Sequence, residues 1–258
     1  DRFTALGFEP KTQTYAIMGK PYQNLEVEIP GKAKAHEIVL IGAHYDSVPG
    51  SPGADDNASG IGSLLEIARL IQGKNFARTV RFAAFVNEEP PFFMTRDQGS
   101  RVYARRAKAQ NDNITAMLCL ESVAYYTDAK RSQRYPFPVN FFYPKTGNFI
   151  AFVGNIPSRG LVRACVAGFR KSASFPCEGA ALPGLLPGIS WSDHRSFWAE
   201  GYRAIMITDT VPYRNPHYHT SGDRPETLDF GRAARVTAGL IPVVDELAEA
   251  SGDTAKQG

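Results

Sequence analysis

The sequence predicts an α/β fold in which a mainly parallel, mixed central sheet carries helices on both faces. Short apolar runs rich in Val, Ile and Phe alternate along the chain with segments whose apolar residues recur at helical spacing. This alternation favours parallel strands, because the helix between two such strands packs against the sheet. The 258 residues are 43% hydrophobic, which is enough for one large core, and no linker-like stretch divides them. We therefore expect a single domain that spans residues 1–258.

The individual elements are predicted from the spacing of apolar residues. Apolar runs of high β-propensity predict strands at 25–29, 38–43, 79–86, 116–123 and 204–208. Apolar residues three and four positions apart predict helices at 59–71, 99–109, 161–172 and 226–250. Asn57 and Ser59 have side chains that can cap the first of these helices. The stretches 125–148 and 175–191 fit neither pattern and are rich in proline, so we expect long loops that either border a binding site or are simple insertions.

Charge and hydropathy argue against two classes of protein. The formal net charge of +3 is too small for the basic surface that binds nucleic acid. No run of about 18 apolar residues exists, so we expect no membrane span. The chain starts at Asp1 without a leader, as a mature exported protein or a trimmed one does. Cys119 lies in an apolar run and is expected in the core, whereas spacing leaves open whether Cys165 and Cys177 form a disulfide.

Charged side chains follow three of the predicted strands at the point where each strand ends. His44 follows the strand at 38–43, Glu88 and Glu89 follow the strand at 79–86, and Glu121 lies at the end of a third. Asp56 lies in a turn before the first helix. Each residue alone is common on a protein surface, but ligands of such sheets gather at the carboxyl ends of the strands. A mixed set of His and carboxylate side chains suits zinc, and two close metal ions activate water for attack on acyl or phosphoryl bonds.

Other polar and aromatic residues have open roles at this stage. Asp46 lies two residues after His44 and is expected to accept the second imidazole N–H. Spacing alone does not choose between His217 and His219 as a ligand, and His194 is expected to be structural. A cluster of large rings could line a substrate pocket or pack a helix onto the sheet: Trp191, Phe197 and Trp198. The Gly60-Ile61-Gly62 run lacks the third glycine of a dinucleotide site and indicates close packing of helix and sheet.

The chain resembles the dizinc exopeptidase family that contains the secreted bacterial aminopeptidases, glutamate carboxypeptidases and glutaminyl cyclases. The matching segments occur in the family's order and span most of the chain. They are Gly42-Ala43-His44-Tyr45-Asp46-Ser47, Gly53-Ala54-Asp55-Asp56-Asn57-Ala58-Ser59-Gly60, Asn87-Glu88-Glu89, Leu120-Glu121, Ser192-Asp193-His194 and Tyr218-His219-Thr220. The resemblance implies a zinc exopeptidase fold of the phosphorylase/hydrolase-like type and a secreted or periplasmic location.

The resemblance also implies two Zn²⁺ ions and a set of ligands. His44 and Glu121 would bind one ion. Glu89 and His219 would bind the other, and Asp56 would bridge the two. The family often has Asp where this chain has Glu121, so we expect a changed metal geometry with the site retained.

Four further roles follow from the same resemblance. Glu88 would be the general base. Tyr218 would stabilise the oxyanion, with Tyr213 as a weaker candidate, and Asp193 would be an acidic residue near the general base. The segment Pro90–Gln98 is longer than in the simplest members, and we expect it to reshape the substrate pocket.

The implied function is that of an aminopeptidase acting on peptides with a free N-terminus. A water held between the two metals would attack the terminal peptide bond, with Glu88 accepting its proton. The alternatives are a glutaminyl cyclase with one zinc, a carboxypeptidase, and a non-catalytic binding module on the same scaffold. The complete run of metal-competent residues favours the dizinc hydrolase over the cyclase and the binding module, and no cationic pocket for a substrate carboxylate can be placed from the sequence.

Overall fold

A mixed sheet of eight strands lies at the centre of the computed structural model, which describes residues 1–249. In chain order the strands are β1 (Lys11–Ile17), β2 (Lys20–Ile29), β3 (Lys34–His44), β4 (Arg78–Phe85), β5 (Asn113–Glu121), β6 (Ile150–Gly154), β7 (Cys177–Ala181) and β8 (Ala204–Thr208). Their order across the sheet is β1-β2-β4-β3-β5-β8-β6-β7. The central strands β4, β3, β5 and β8 are parallel, whereas β2 and β6 join them as antiparallel neighbours. This confirms the predicted α/β class and the mainly parallel sheet.

Helices cover both faces of the sheet, as predicted. They are α1 (Arg2–Ala5), α2 (Gly60–Ile71), α3 (Gly99–Ala109), α4 (Arg159–Ser172), α5 (His194–Trp198), α6 (Val211–Arg214) and α7 (Phe230–Glu249). The helices α2, α4 and α7 pack together on one face, above a large buried cluster that includes Phe82, Leu118 and Phe152. The helices α3 and α5 cover the other face, where Phe85, Tyr103 and Phe197 are fully buried.

The structure corrects several predicted boundaries. The strands β1, β6 and β7 were not predicted, and β7 lies inside the stretch 175–191 that was expected to be a loop. The strand predicted at 116–123 ends at Glu121 instead, because Ser122 has a left-handed backbone with φ of 49°. The last helix begins at Phe230 instead of residue 226, since Asp229 accepts the amide hydrogen of Arg232 and caps the helix there. The predicted end of this helix at Ala250 lies outside the described residues.

The start of α2 is fastened to the end of β5. The side-chain oxygen of Asn57 accepts hydrogen bonds from the amides of Gly60 (3.1 Å) and Ser122 (3.0 Å), so Asn57 caps the helix as predicted. Its side-chain NH₂ donates to the carbonyl of Leu120 at 2.9 Å. Ser59 does not cap the helix, because its hydroxyl donates to the carbonyl of Asp55. A Cβ atom at Gly60 would lie only 2.7 Å from the Leu120 carbonyl oxygen, so the glycine is needed for this close approach.

Two alanine substitutions in α2 test this packing. We expect Gly60→Ala to lower the free energy of unfolding by about 1–3 kcal/mol, because the new methyl group overlaps backbone atoms of β5. Gly62→Ala is the matched control, since nothing lies within 4 Å of its added Cβ, and it should raise the free energy of unfolding by up to about 1 kcal/mol. Urea denaturation of both variants measures the difference. Equal effects of the two substitutions would contradict the proposed contact.

The structure bears on two features considered from the sequence, a membrane span and a disulfide. Among residues 1–249, no helix combines the length and the apolar character needed to cross a bilayer. All three cysteines are buried as free thiols, so Cys165 and Cys177 do not form a disulfide in this structure.

Candidate metal centre

The five predicted metal ligands meet at the carboxyl edge of the parallel strands. His44 is the last residue of β3 and Glu121 is the last residue of β5, whereas Glu89 follows β4. Asp56 lies in the irregular turn before α2, and His219 lies in the loop between α6 and α7. Because β3, β4 and β5 are parallel neighbours, their ends bring these side chains to one place.

The ligand atoms form two groups that share Asp56. In the first group, the Nε2 atom of His44 lies 3.2 Å from Asp56 Oδ1 and 3.3 Å from Glu121 Oε2. In the second group, the Nε2 atom of His219 lies 3.1 Å from Asp56 Oδ2 and 3.2 Å from Glu89 Oε2. Within each group, all three ligand atoms lie within 4.8 Å of one another. The two oxygens of Asp56 therefore face different groups, as a bridging carboxylate would.

The residues present fit a zinc-type cation. Among the predicted ligands and Glu88, three buried polar atoms have no hydrogen-bond partner within residues 1–249: Nε2 of His44, Oε1 of Glu88 and Oε1 of Glu89. Buried polar atoms without partners are costly unless another group, such as a metal ion, satisfies them. Several carboxylates are buried here beside only two imidazoles, so the site carries an excess of negative charge. Imidazole nitrogen and carboxylate oxygen are ordinary zinc ligands.

The charges of the site act on one another strongly. Burial lowers the pKa of His44, but the carboxylates of Glu121, Asp46 and Asp56 outweigh this effect and hold that pKa well above its usual value. Likewise, Asp56 and Glu89 overcome burial and raise the pKa of His219 to about 10. Both shifts have the same physical cause, since the surrounding carboxylates favour positive charge at each of the two positions.

Asp46 accepts the second imidazole N–H of His44 through its main-chain carbonyl. The Nδ1–H of His44 donates to the main-chain carbonyl of Asp46 at 3.1 Å, whereas the Asp46 carboxylate lies 3.6 Å away from Nδ1. The carboxylate oxygens instead accept the amide hydrogens of Glu88 and Glu89, each at 3.1 Å. Asp46 thus fixes the tautomer of His44 through its backbone and holds the turn after β4 through its side chain.

Two supporting residues were missed by sequence reasoning. The carboxylate of Asp223 accepts the amide hydrogens of Asp55 and Asp56, although 167 residues separate Asp223 from Asp56. Ser192 donates its hydroxyl to Glu121 Oε2 at 2.5 Å. Ser192 is part of the matched segment Ser192-Asp193-His194, which was the one available signal. Asp223 had none, because a lone acid in a glycine-containing turn is usually solvated.

Left-handed backbone conformations occur next to the ligands. Asn87, which precedes Glu88, has φ of 60°, and Ser122, which follows Glu121, has φ of 49°. His219 itself has φ of 57°. Such conformations are unfavourable for residues other than glycine and are held by surrounding contacts, often at functional sites. They turn the chain sharply at the strand ends, so adjacent side chains can enter the site.

Comparison with known proteins identifies the family. The profile of Peptidase family M28 matches residues 24–244. The chain belongs to Peptidase family M28. This confirms the predicted relation to the zinc exopeptidases, and the family is one of hydrolases that act on peptides.

Two relatives show how much of the sequence is shared. The uncharacterized protein YfbL of Escherichia coli is 38% identical over 251 residues, which are 94% of this chain and 76% of YfbL. A probable leucine aminopeptidase of Arthroderma otae is 27% identical over 242 residues, which are 88% of this chain and 57% of the fungal protein. The chain therefore spans a little over half the length of this second relative.

Solved structures confirm the fold. LapB of Legionella pneumophila superposes with a TM-score of 0.74 at 23% identity, covering 96% of this chain and 62% of LapB. BSAP, a zinc aminopeptidase of Bacillus subtilis, gives 0.70 at 23% identity over 91% of this chain and 52% of BSAP. The glutaminyl cyclase of Fimbriiglobus ruber gives 0.67 at 18% identity over 95% of this chain and 83% of the cyclase. These likenesses establish the zinc exopeptidase architecture.

The remaining predicted residues lie around the two ligand groups. The Tyr218 ring stacks on the His219 ring with centroids 3.8 Å apart, at the edge of the ligand set. Asp193 is fully buried, and burial raises its pKa to about 7, while its charge adds to the raised pKa of Glu88. His217 belongs to neither ligand group. The Nε2 atom of His194 lies 2.8 Å from the carbonyl of Ile189, which agrees with its predicted structural role.

A cavity of about 350 Å³ adjoins the ligand groups. Residues of the stretches 125–148 and 175–191 line it, including Tyr135, Ile189 and Trp191, and Phe149 contributes directly after the first stretch. Two residues of the segment Pro90–Gln98 also line the cavity: Pro90 and Phe93. Of the three rings Trp191, Phe197 and Trp198, which could line a pocket or pack a helix onto the sheet, only Trp191 lines this cavity.

The other two rings pack against the protein instead of lining the cavity. The Phe197 ring lies between those of Phe85 and Tyr103. Trp198 packs on His194 and donates its indole N–H to the carbonyl of Ala204 at 2.8 Å.

Proposed function

We propose that this chain is a single-domain dizinc aminopeptidase that removes large apolar residues from the free N-terminus of peptides. One observation carries the proposal: two groups of metal-competent side chains share Asp56 and adjoin a largely apolar cavity. His44 and Glu121 would hold one zinc, and Glu89 and His219 the other. Two similar proteins support the proposal: the relative from Arthroderma otae, which is described as a probable leucine aminopeptidase, and BSAP, a zinc aminopeptidase with a similar fold.

Glu88 would act as the proton carrier. Bound zinc lowers the pKa of water and polarises a substrate carbonyl. The Glu88 carboxylate is buried, with Oε2 4.0 Å from His44 Nε2 and with Oε1 free of hydrogen-bond partners among the described residues. Burial raises its pKa well above the usual value, and the nearby charge of Asp193 adds to the rise. A carboxylate of raised pKa can accept a proton from water and return it to the leaving amine.

Tyr218 would stabilise negative charge on the substrate. Burial raises the pKa of its phenol, and the carboxylates of Asp56 and Glu121 raise it further. The phenol therefore stays protonated at neutral pH and remains a hydrogen-bond donor. Because its ring stacks on His219, it is held beside the second ligand group. A fixed donor near the reacting carbonyl would stabilise an oxyanion.

The cavity indicates the substrate residue. Its lining includes the large rings and apolar side chains of Tyr135, Phe149, Ile189 and Met206. A large apolar side chain at the N-terminus of a peptide can pack against this lining while the scissile carbonyl rests near the ligand groups. An N-terminal glycine or alanine would leave much of the cavity unfilled, so the substrate would lose the binding energy that burial of a large apolar side chain contributes.

A panel of substrates tests the proposal. We expect leucyl and phenylalanyl anilides to be hydrolysed at least about 10-fold faster than glycyl anilide, since each buried methylene is worth roughly 10-fold or more in specificity. Nα-acetyl-leucyl anilide should be stable, because its terminal amine is blocked. Elemental analysis should give two zinc equivalents per chain, and a chelator should abolish hydrolysis.

Other outcomes point to the alternatives. Cyclisation of an N-terminal glutamine peptide with a single zinc would indicate a glutaminyl cyclase. Release of a C-terminal residue would indicate a carboxypeptidase, and no bindable zinc would indicate a binding module. The secreted or periplasmic location stays a prediction, and fractionation of the producing cells tests it.

A further inference from the structure

A loop beside the cavity exposes three phenylalanine rings. Residues 130–145, here called the basic aromatic loop, carry Phe137, Phe141 and Phe142, which are 79%, 71% and 78% exposed. Exposed large apolar side chains are common singly, but a group of them on one surface usually marks an interaction site. The rings of Phe137 and Phe141 lie 6.0 Å apart, edge to face, so at least two of them form one patch.

The rest of the loop is anchored to the protein. The hydroxyl of Tyr135 donates to the carbonyl of Pro144 at 2.5 Å, and that of Tyr143 donates to the carbonyl of Gly179 at 3.0 Å. Gln133 donates to the hydroxyl of Thr210 at 2.8 Å. Tyr135 and Tyr143 also line the cavity. The loop therefore has an inner side that belongs to the cavity wall and an outer side that presents the phenylalanine rings.

The same loop concentrates positive charge. It contains Lys130, Arg131, Arg134 and Lys145 and no acidic residue, whereas the whole chain of 258 residues has a net charge of only +3. All four side chains are exposed, and within residues 1–249 none of them takes part in an ion pair. Exposed cations without acidic partners favour an anionic surface as the binding partner.

We propose that the basic aromatic loop docks the protein onto an anionic lipid surface. The phenylalanine rings would enter the boundary between headgroups and acyl chains, and the four cations would contact anionic headgroups. A peptide partner is less favoured by the geometry, because rings that are 71–79% exposed form a projecting surface and not a groove. A lipid surface can deform around projecting rings. Docking would place the cavity, whose wall the loop forms, beside the lipid surface.

Co-sedimentation with vesicles tests the proposal. We expect the protein to sediment with vesicles of phosphatidylcholine mixed equally with phosphatidylglycerol, and to sediment far less with phosphatidylcholine alone or in high salt. The triple variant F137S/F141S/F142S should lower the partition coefficient at least about 10-fold. The double variant R131Q/R134Q should lower it roughly 25-fold, since each basic residue near an anionic surface contributes about 5-fold.

Matched controls replace exposed residues elsewhere on the molecule. Met18→Ser removes a side chain that is 98% exposed in the turn between β1 and β2, and K20Q/K32Q removes two exposed cations outside the loop. Both controls should sediment like the wild type, and thermal unfolding should show that all variants are folded. Absence of sedimentation with the mixed vesicles would overturn the proposal, as would equal sedimentation of the phenylalanine variant. Self-association of the wild type that only this variant loses, without vesicle binding, would instead assign the patch to contacts between copies of the chain.

Discussion

We expect Glu88→Gln to lower kcat for leucyl anilide by about 10²–10⁴-fold while the protein keeps its zinc. Glutamine has nearly the shape of glutamate but cannot accept a proton from water at neutral pH. Glu88 belongs to neither ligand group, and its amide stays bound to Asp46, so the substitution should leave the ligands in place. Parallel measurements of kcat, KM and zinc content check the prediction, and KM should change little.

The control for this variant is Glu9→Gln, which changes the same chemical group at an exposed position that belongs to neither ligand group and does not line the cavity. It should retain wild-type kcat. Unchanged hydrolysis in Glu88→Gln would remove Glu88 from the role of general base. Loss of zinc together with loss of hydrolysis would show instead that Glu88 is a ligand.

The candidate site could be predicted where the backbone of one element decides a side chain's position. His44 and Glu121 end neighbouring parallel strands, and Glu89 follows a third, so the order and direction of the strands bring them together. Asp223 could not be predicted in this way, because it reaches Asp56 through a loop whose course depends on tertiary packing. The same reason applies to the contact between Ser192 and Glu121.

The fold was predictable in its centre and less so at its edges. The buried strands β3, β4, β5 and β8 contain nearly continuous apolar runs, which are typical of parallel strands covered on both faces. The edge strand β1, Lys-Thr-Gln-Thr-Tyr-Ala-Ile, is mostly polar because it is largely exposed. The edge strand β7, Cys-Glu-Gly-Ala-Ala, has no β-branched residue and forms only by pairing with β6. Edge strands depend on their neighbour for hydrogen bonds, so their own sequence indicates them weakly.

Asp56→Ala should have an effect of similar size on hydrolysis through a different cause, which is loss of metal. Each oxygen of Asp56 faces one ligand group, so the substitution removes one of three donors from both groups at once. The remaining pairs, His44 with Glu121 and Glu89 with His219, offer too few donors for tight zinc binding. We expect the zinc content to fall below one equivalent and hydrolysis to fall by about 10³-fold or more.

Native mass spectrometry of the purified variant measures the bound zinc directly. Asp128→Ala is the control, because it removes an exposed carboxylate whose ion pair with Arg232 lies at the surface and contributes little to stability. Two full equivalents of zinc in Asp56→Ala would contradict the bridging role. Asp56→Asn separates that role from a general loss of structure: its amide keeps one oxygen as a donor and loses the other. If Asp56 bridges the two groups, Asp56→Asn should release the zinc of one group and retain that of the other. If the turn collapses instead, both zinc ions should be lost.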